Sequence, residues 1–114
     1  MKINYDKYDT IPKLFWRQVQ KLSDNKTIWH KQDGIWKSLT WKDYGNYSND
    51  IGNAILASNI QKGEKISILS ETRSEWVMCD MGIICTGCVT VPIYHSSTDE
   101  QVYFIANQSD SALA

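Results

Sequence analysis

The stretch from Gly63 to Tyr94, GEKISILSETRSEWVMCDMGIICTGCVTVPIY, constrains this chain more than any other, because it reads as strand, helix, strand. Lys65 to Ser70 is a short apolar run with β-branched residues, and Val89 to Tyr94 is a second one. Between them Arg73 to Thr86 is apolar on nearly every face, the pattern of a buried crossover helix, with Trp76 turned against the strands and Gly87 as its stop. Two strands joined through a helix of this length pair in parallel with a right-handed crossover. The spacing therefore predicts an α/β core.

The flanks supply further elements. Asp9 or Thr10 can cap a first helix that carries Pro12 in its first turn and Leu14, Phe15, Val19 and Leu22 as an apolar stripe. Thr27 to Lys31 and Ile35 to Leu39 surround Gln32-Asp33-Gly34, which predicts a β-hairpin exposed on one face. Thr40 and Asp43 have the spacing of a capping box with Asp in place of Glu. Tyr44, Tyr47, Ile51 and Ile55 then recur on one face of a helix reaching about Ser58, in which Gly45 and Gly52 either weaken the helix or permit close packing. Lys62-Gly63 forms the turn into the first parallel strand, Ser97 or Thr98 caps a helix over Asp99 to Gln108, and Ala112-Leu113-Ala114 reads as a strand onset.

Composition narrows the function classes. At 114 residues the chain suits one domain burying roughly two-thirds of its extended surface. A net charge of -1, with Lys and Arg scattered, removes the basic stripe of a nucleic-acid binder. The N-terminus, MKINYDKYDTIPKLFW, has no apolar signal core, and Trp76 to Cys88 is interrupted by Asp80 and too short for a transmembrane segment. Cys79, Cys85 and Cys88 form an odd set without a secretory signal, which favours free thiols in a cytoplasmic, reducing setting. The Asn-x-Ser/Thr triplets at Asn25, Asn46 and Asn107 are then chance matches.

Candidate chemistry is sparse. Cys85 and Cys88 have CxxC spacing, but a reactive pair sits at a helix N-terminus, whereas Cys85 falls at a C-terminus where partial negative charge disfavours the thiolate. Zinc would need His30, His95 and Cys79 as unpatterned helpers, so no metal site is assigned. Asp80 stands alone in its apolar helix, and one carboxylate without a partner defines no acid–base chemistry; Arg73 is its ionic neighbour or that of Glu75. His95-Ser96-Ser97 lacks an orienting carboxylate and a nucleophile elbow, which leaves the hydroxyls as helix caps and no catalytic residue in the chain. The aromatic residues have core-like spacing. Ligands of an open parallel sheet sit beyond the carboxyl ends of its strands, here the loops Ser70 to Thr72 and Tyr94 to Ser97. Ser70, Thr72, Tyr94 and His95 are the candidate substrate-side residues.

The set Gly63-Glu64-Lys65-Ile66, Arg73, Glu75-Trp76, Asp80, Gly87 and Val91-Pro92-Ile93-Tyr94, with Thr40-Trp41 and Tyr44 upstream, resembles the N-terminal part of a long-chain fatty-acid:CoA ligase of the adenylate-forming, AMP-binding superfamily. The likeness covers roughly Ile11 to Ala114. It implies an intact enzyme that joins a fatty acid to AMP, releases pyrophosphate and passes the acyl group to CoA, with ATP, Mg and CoA required and a cytoplasmic or peripheral membrane location. The Ser/Thr/Gly-rich phosphate loop, the Tyr-Gly-x-Thr-Glu segment, the hinge aspartate and the catalytic lysine of that family are absent from residues 1–114. The resemblance thus implies an incomplete N-terminal domain over residues 1–114, a scaffold that is inactive alone, holds no cofactor itself and self-associates through an uncovered sheet edge or face. A stand-alone α/β interaction module is the rival reading and predicts a stop codon after Ala114; a redox protein using Cys85 and Cys88 is a third.

Overall fold

The computed structural model describes Asn4 and residues 6–114, so part of the N-terminal stretch read above for a signal core lies outside the described residues. In chain order the elements are α1 (Ile11–Leu22), β1 (Lys26–Gln32), β2 (Ile35–Thr40), α2 (Trp41–Ala57), β3 (Lys65–Ser70), α3 (Ser74–Cys85), β4 (Val89–Tyr94), α4 (Asp99–Ser109) and β5 (Ser111–Leu113). They divide into two compact units, Met1–Tyr47 and Ser48–Ala114, with the boundary inside α2.

In the first unit Thr10 is the cap of α1, its side chain accepting from the Lys13 N–H at 3.3 Å. Phe15 is the buried residue of that helix and meets Tyr44 edge-on at 4.8 Å between ring centroids, with Trp41 at 6.4 Å. Those aromatics reach Phe15 because α2 starts on the loop that ends α1. The Trp41 and Lys42 N–H groups donate to the carbonyls of Asn25 and Ser23 at 3.0 and 2.9 Å, satisfying donors that a helix start leaves open. Thr40 and Asp43 form the expected capping box: the Thr40 N–H donates to Asp43 Oδ2 at 2.9 Å and the Asp43 N–H to Thr40 Oγ1 at 3.1 Å. Gly45 is a packing glycine, since a Cβ there would lie 2.8 Å from Val19 Cγ1.

β1 and β2 pair antiparallel across a two-residue turn, Asp33-Gly34, in which both residues have positive φ, 52° and 78°. That is the primed turn whose twist matches a hairpin, and Gly is the residue that enters it without a Cβ penalty. The register pairs Trp29 with Ser38 and Lys31 with Trp36. One face of the ribbon therefore carries Trp29, Lys31 and Trp36, all exposed, while Ile28, His30 and Leu39 on the other are half-buried.

In the second unit β3 is central, with β4 and β5 parallel to it on either side. β4 pairs with β3 over its whole length, from Lys65 with Val89 to Ser70 with Tyr94, and Pro92 is accommodated because β4 is an outer strand of this sheet. α3 packs on β3 and β4 as the crossover. The core joins Ile55 of α2, Ile66, Ile83 and Cys88, with Ile51, Ile60 and Ile68 against it. Trp76 differs from its expected core position. It is half-buried, because the residues of α3 that reach the core are Met78, Gly82 and Ile83, further along the helix. Gly87, with φ 81°, follows the end of α3. Ser111–Leu113 is the strand that the last apolar triplet promised.

Candidate functional site

Parallel strands deliver their carboxyl ends to one edge of the sheet, and the register sets Ser70 directly beside Tyr94 at that edge. Of the four residues singled out from the sequence, these two are brought together as Cα partners. Ser70 directs its hydroxyl to the Glu71 carbonyl at 2.9 Å, closing the strand end. Thr72 lies exposed on the next loop, and His95 is exposed beyond Tyr94 without lining the groove described below.

The groove beside Tyr94 is open and holds about 720 Å³. Tyr94, Ser96 and Ser97 form one wall, and Glu100, Gln101, Phe104 and Ile105 of α4 form the other. A turn in which the Ser97 N–H donates to the Tyr94 carbonyl at 3.0 Å reverses the chain into α4. Thr98 and Gln101 then lock the helix start reciprocally: Gln101 N–H to Thr98 Oγ1 at 3.3 Å, and Thr98 N–H to Gln101 Oε1 at 3.0 Å. The α4 residues were not among the sequence candidates. Their signal was the i,i+4 spacing of Glu100 with Phe104 and of Gln101 with Ile105, which puts both pairs on one helix face. Tyr94 is 81% and Phe104 61% exposed, so an aromatic ring stands in the open on each wall, among serine hydroxyls on one side and Glu100, Gln101 and Ile105 on the other. Such a lining suits contact with an apolar or aromatic body; no group of three or more His, Cys, Asp or Glu that could hold a metal occurs among the described residues.

The glycines do not build a nucleotide phosphate site. Gly63 and Gly87 lie at the amino ends of the strands, and the Gly63 N–H is spent on the Gly87 carbonyl at 2.9 Å. Gly82 is enclosed, its position facing Ile51 and the Ser48 carbonyl. These three glycines therefore form no phosphate cradle.

The remaining titratable groups have structural explanations. Arg73 donates to both carboxylate oxygens of Glu75 at 2.8 Å each, which makes Glu75 and not Asp80 its ionic partner. The hydrogen bonds from Arg73 hold the Glu75 carboxyl down to about 2, helped by the helix-start backbone and Ser74. Burial pushes the Cys79 thiol up, and the Glu75 charge adds to this, the opposite of what a reactive thiolate needs. Cys88 is buried and its Sγ donates to the Gln61 carbonyl at 3.4 Å, so it behaves as a small core residue. No helix among the described residues is long and apolar enough to cross a membrane.

Residues 15–114 match the AMP-binding enzyme family model. The long-chain-fatty-acid–CoA ligase FadD15 of Mycobacterium bovis is 33% identical over 81 residues, 71% of this chain and 14% of that protein. Long-chain-fatty-acid–CoA ligase 1 of Homo sapiens is 29% identical over 116 residues, 96% of this chain and 16% of that protein. The crystal structure of a fatty acid AMP ligase from Legionella pneumophila superposes with a TM-score of 0.88 at 14% identity, covering 99% of this chain and 20% of that one. The chain thus spans a small share of the relatives it matches. With the family model covering nearly all of it and the α/β architecture shared with adenylate-forming ligases, the chain belongs to the AMP-binding enzyme family.

Proposed function

We propose that this chain is the N-terminal scaffold of a long-chain fatty-acid:CoA ligase, whose intact form condenses a fatty acid with ATP to acyl-AMP and pyrophosphate and then transfers the acyl group to CoA, releasing AMP. ATP, Mg and CoA act on other parts of that enzyme. The observation that carries the reading is the alignment of Ser70 with Tyr94 at the carboxyl edge of the parallel sheet, beside an open groove with exposed aromatic walls. In the intact enzyme Ser70, Thr72, Tyr94 and His95 stand on the substrate side, where Tyr94 and Phe104 offer apolar contact to an acyl chain or to the protein around it. The enzyme works in the cytoplasm or at its membrane periphery.

Alone, the chain neither hydrolyses ATP nor forms acyl-AMP. Its outer strands β4 and β5 and the exposed Leu69, Val89 and Leu113 support self-association, which light scattering over a concentration series reads directly. A strictly monomeric solution at high concentration favours the interaction-module rival instead.

The decisive test replaces the matching segment of the Mycobacterium bovis ligase with this chain. The chimera should release pyrophosphate in a fatty-acid-dependent way while the isolated chain stays at background. Tyr94→Ala in the chimera should raise the KM for fatty acid and leave that for ATP in place. Fatty-acid-dependent release by the isolated chain, or a chimera whose constants ignore Tyr94, would overturn the reading.

A further inference from the structure

The exposed face of the β1–β2 ribbon has a composition that the ligase reading does not use. Trp29 is 55% and Trp36 64% exposed, and the register places them on the same face, flanking Lys31. Lys26 sits with its ammonium 5.0 Å from the Trp29 ring centroid, and Ile35, 64% exposed, stands at the tip beside the turn. Along Lys26 to Thr40 the charges are Lys26, Lys31 and Lys37 against Asp33 alone, so this ribbon is basic within a chain of net charge -1. Among the described residues no third strand joins β1 and β2.

We infer that the Trp29–Trp36 face of the hairpin docks on an anionic lipid surface. Indole rings favour the headgroup boundary, where an apolar body and a polar N–H are both satisfied, and lysine stems can lie along apolar groups while their ammonium heads reach phosphates. Anionic lipid neutralises Lys26 and Lys31 together, whereas Lys37, paired with His30, lies on the other face and bonds Gln32. A second copy of the chain would instead bring these two lysines against the same two, which disfavours it as the occupant. The ribbon is a pair of strands of seven and six residues, so it lies in the interface without crossing it. This inference rests on the membrane-periphery part of the ligase reading and names the surface that serves it; its test has no activity readout, so its failure leaves the ligase chemistry standing.

The test uses the full chain with vesicles of phosphatidylcholine and phosphatidylglycerol in equal parts, against vesicles of phosphatidylcholine only. Co-sedimentation should occur with the mixed vesicles, weaken with added salt, and be accompanied by tryptophan quenching from brominated lipid. Lys26→Gln and Lys31→Gln should each reduce partitioning about fivefold, equivalent to roughly 1 kcal/mol per lysine near an anionic surface. Trp36→Ser should reduce both binding and quenching, with an unchanged far-ultraviolet circular dichroism spectrum. Because the lysine variants alter exposed side chains, they report on docking even if Trp36→Ser disturbs the ribbon. Failure to bind the mixed vesicles, equal binding to both vesicle types, or wild-type partitioning of Lys31→Gln would overturn the inference. So would a lipid-free dimer that Trp36→Ser dissolves, which would assign the face to a second copy.

Discussion

Gly82 of α3 lies so close to Ile51 of α2 that a Cβ on the glycine would stand 2.7 Å from Ile51 Cγ2 and 2.9 Å from Ile51 Cβ, with the Ser48 carbonyl oxygen also at 2.9 Å. None of these atoms is the end of a flexible chain. Gly82→Ala should therefore destabilise by about 1–3 kcal/mol through overpacking, even though alanine is the better helix former. Gly52 is the control, since its added Cβ would meet only the Gly82 carbonyl at 3.4 Å and Thr86 Cγ2 at 3.6 Å. Thermal melts should show Gly52→Ala at or above wild type and Gly82→Ala clearly below it. Equal melts would mean that the two helices do not approach as described.

The β5 strand is held to β3 by a hydroxyl contact across the fold: Ser67 Oγ and Ser111 Oγ lie 2.6 Å apart, and Ser109 Oγ continues the chain at 2.7 Å from Ser111. Ser67 is only 3% exposed. Ser111→Ala strands its buried hydroxyl and should cost about 1–3 kcal/mol, whereas Ser67→Ala removes the buried group itself and should cost less. Chemical denaturation of the two variants checks the order; a larger loss for Ser67→Ala would contradict it.

Glu75 carries a pH signature. Its carboxyl, held down to about 2 by the Arg73 guanidinium, has a folded pKa below its usual 4.5. Its contribution to stability is therefore complete above about 4.5 and disappears as the pH falls through about 2. Because the side chain is 56% exposed, solvent screens the pair and the contribution is small. A titration followed by the Glu75 carboxyl carbon resonance should give a midpoint near 2, moving towards 4.5 in Arg73→Gln. An unmoved midpoint would show that another group holds the proton off.

Ile83 is the apolar side chain most completely enclosed in the core of the second unit, at 2% exposure. Ile83→Ala should cost about 2–5 kcal/mol, the range for deleting a large aliphatic group from a site that cannot collapse around it. The half-buried Trp76 should fall short of the roughly 3–5 kcal/mol of a fully enclosed aromatic when changed to alanine. Melting of Ile83→Ala within a degree or two of wild type would place the core elsewhere.

Local chemistry determined most of the element list before any contact was known. β-branched runs marked Lys65–Ser70 and Val89–Tyr94, polar caps marked the starts at Asp9 or Thr10, at Thr40, and at Ser97 or Thr98, and Asp33-Gly34 marked a turn, because each depends on residues only a few positions apart. The pairing of β3 with β4 was equally legible, since a helix-long connection permits only parallel strands. The setting of Ser70 beside Tyr94 at the strand ends followed from that, though of the two only Tyr94 lines the groove. The other wall did not, because Glu100, Gln101, Phe104 and Ile105 become neighbours of Tyr94 only when the turn at Ser97 folds α4 back beside the sheet edge. Which face of α3 turns inward was beyond the sequence for the same reason: a helix apolar on all sides has no preferred inward face of its own. Only the close approach of Ile51 to Gly82, and of the strands beneath, selected Ile83 for the core and left Trp76 at its margin.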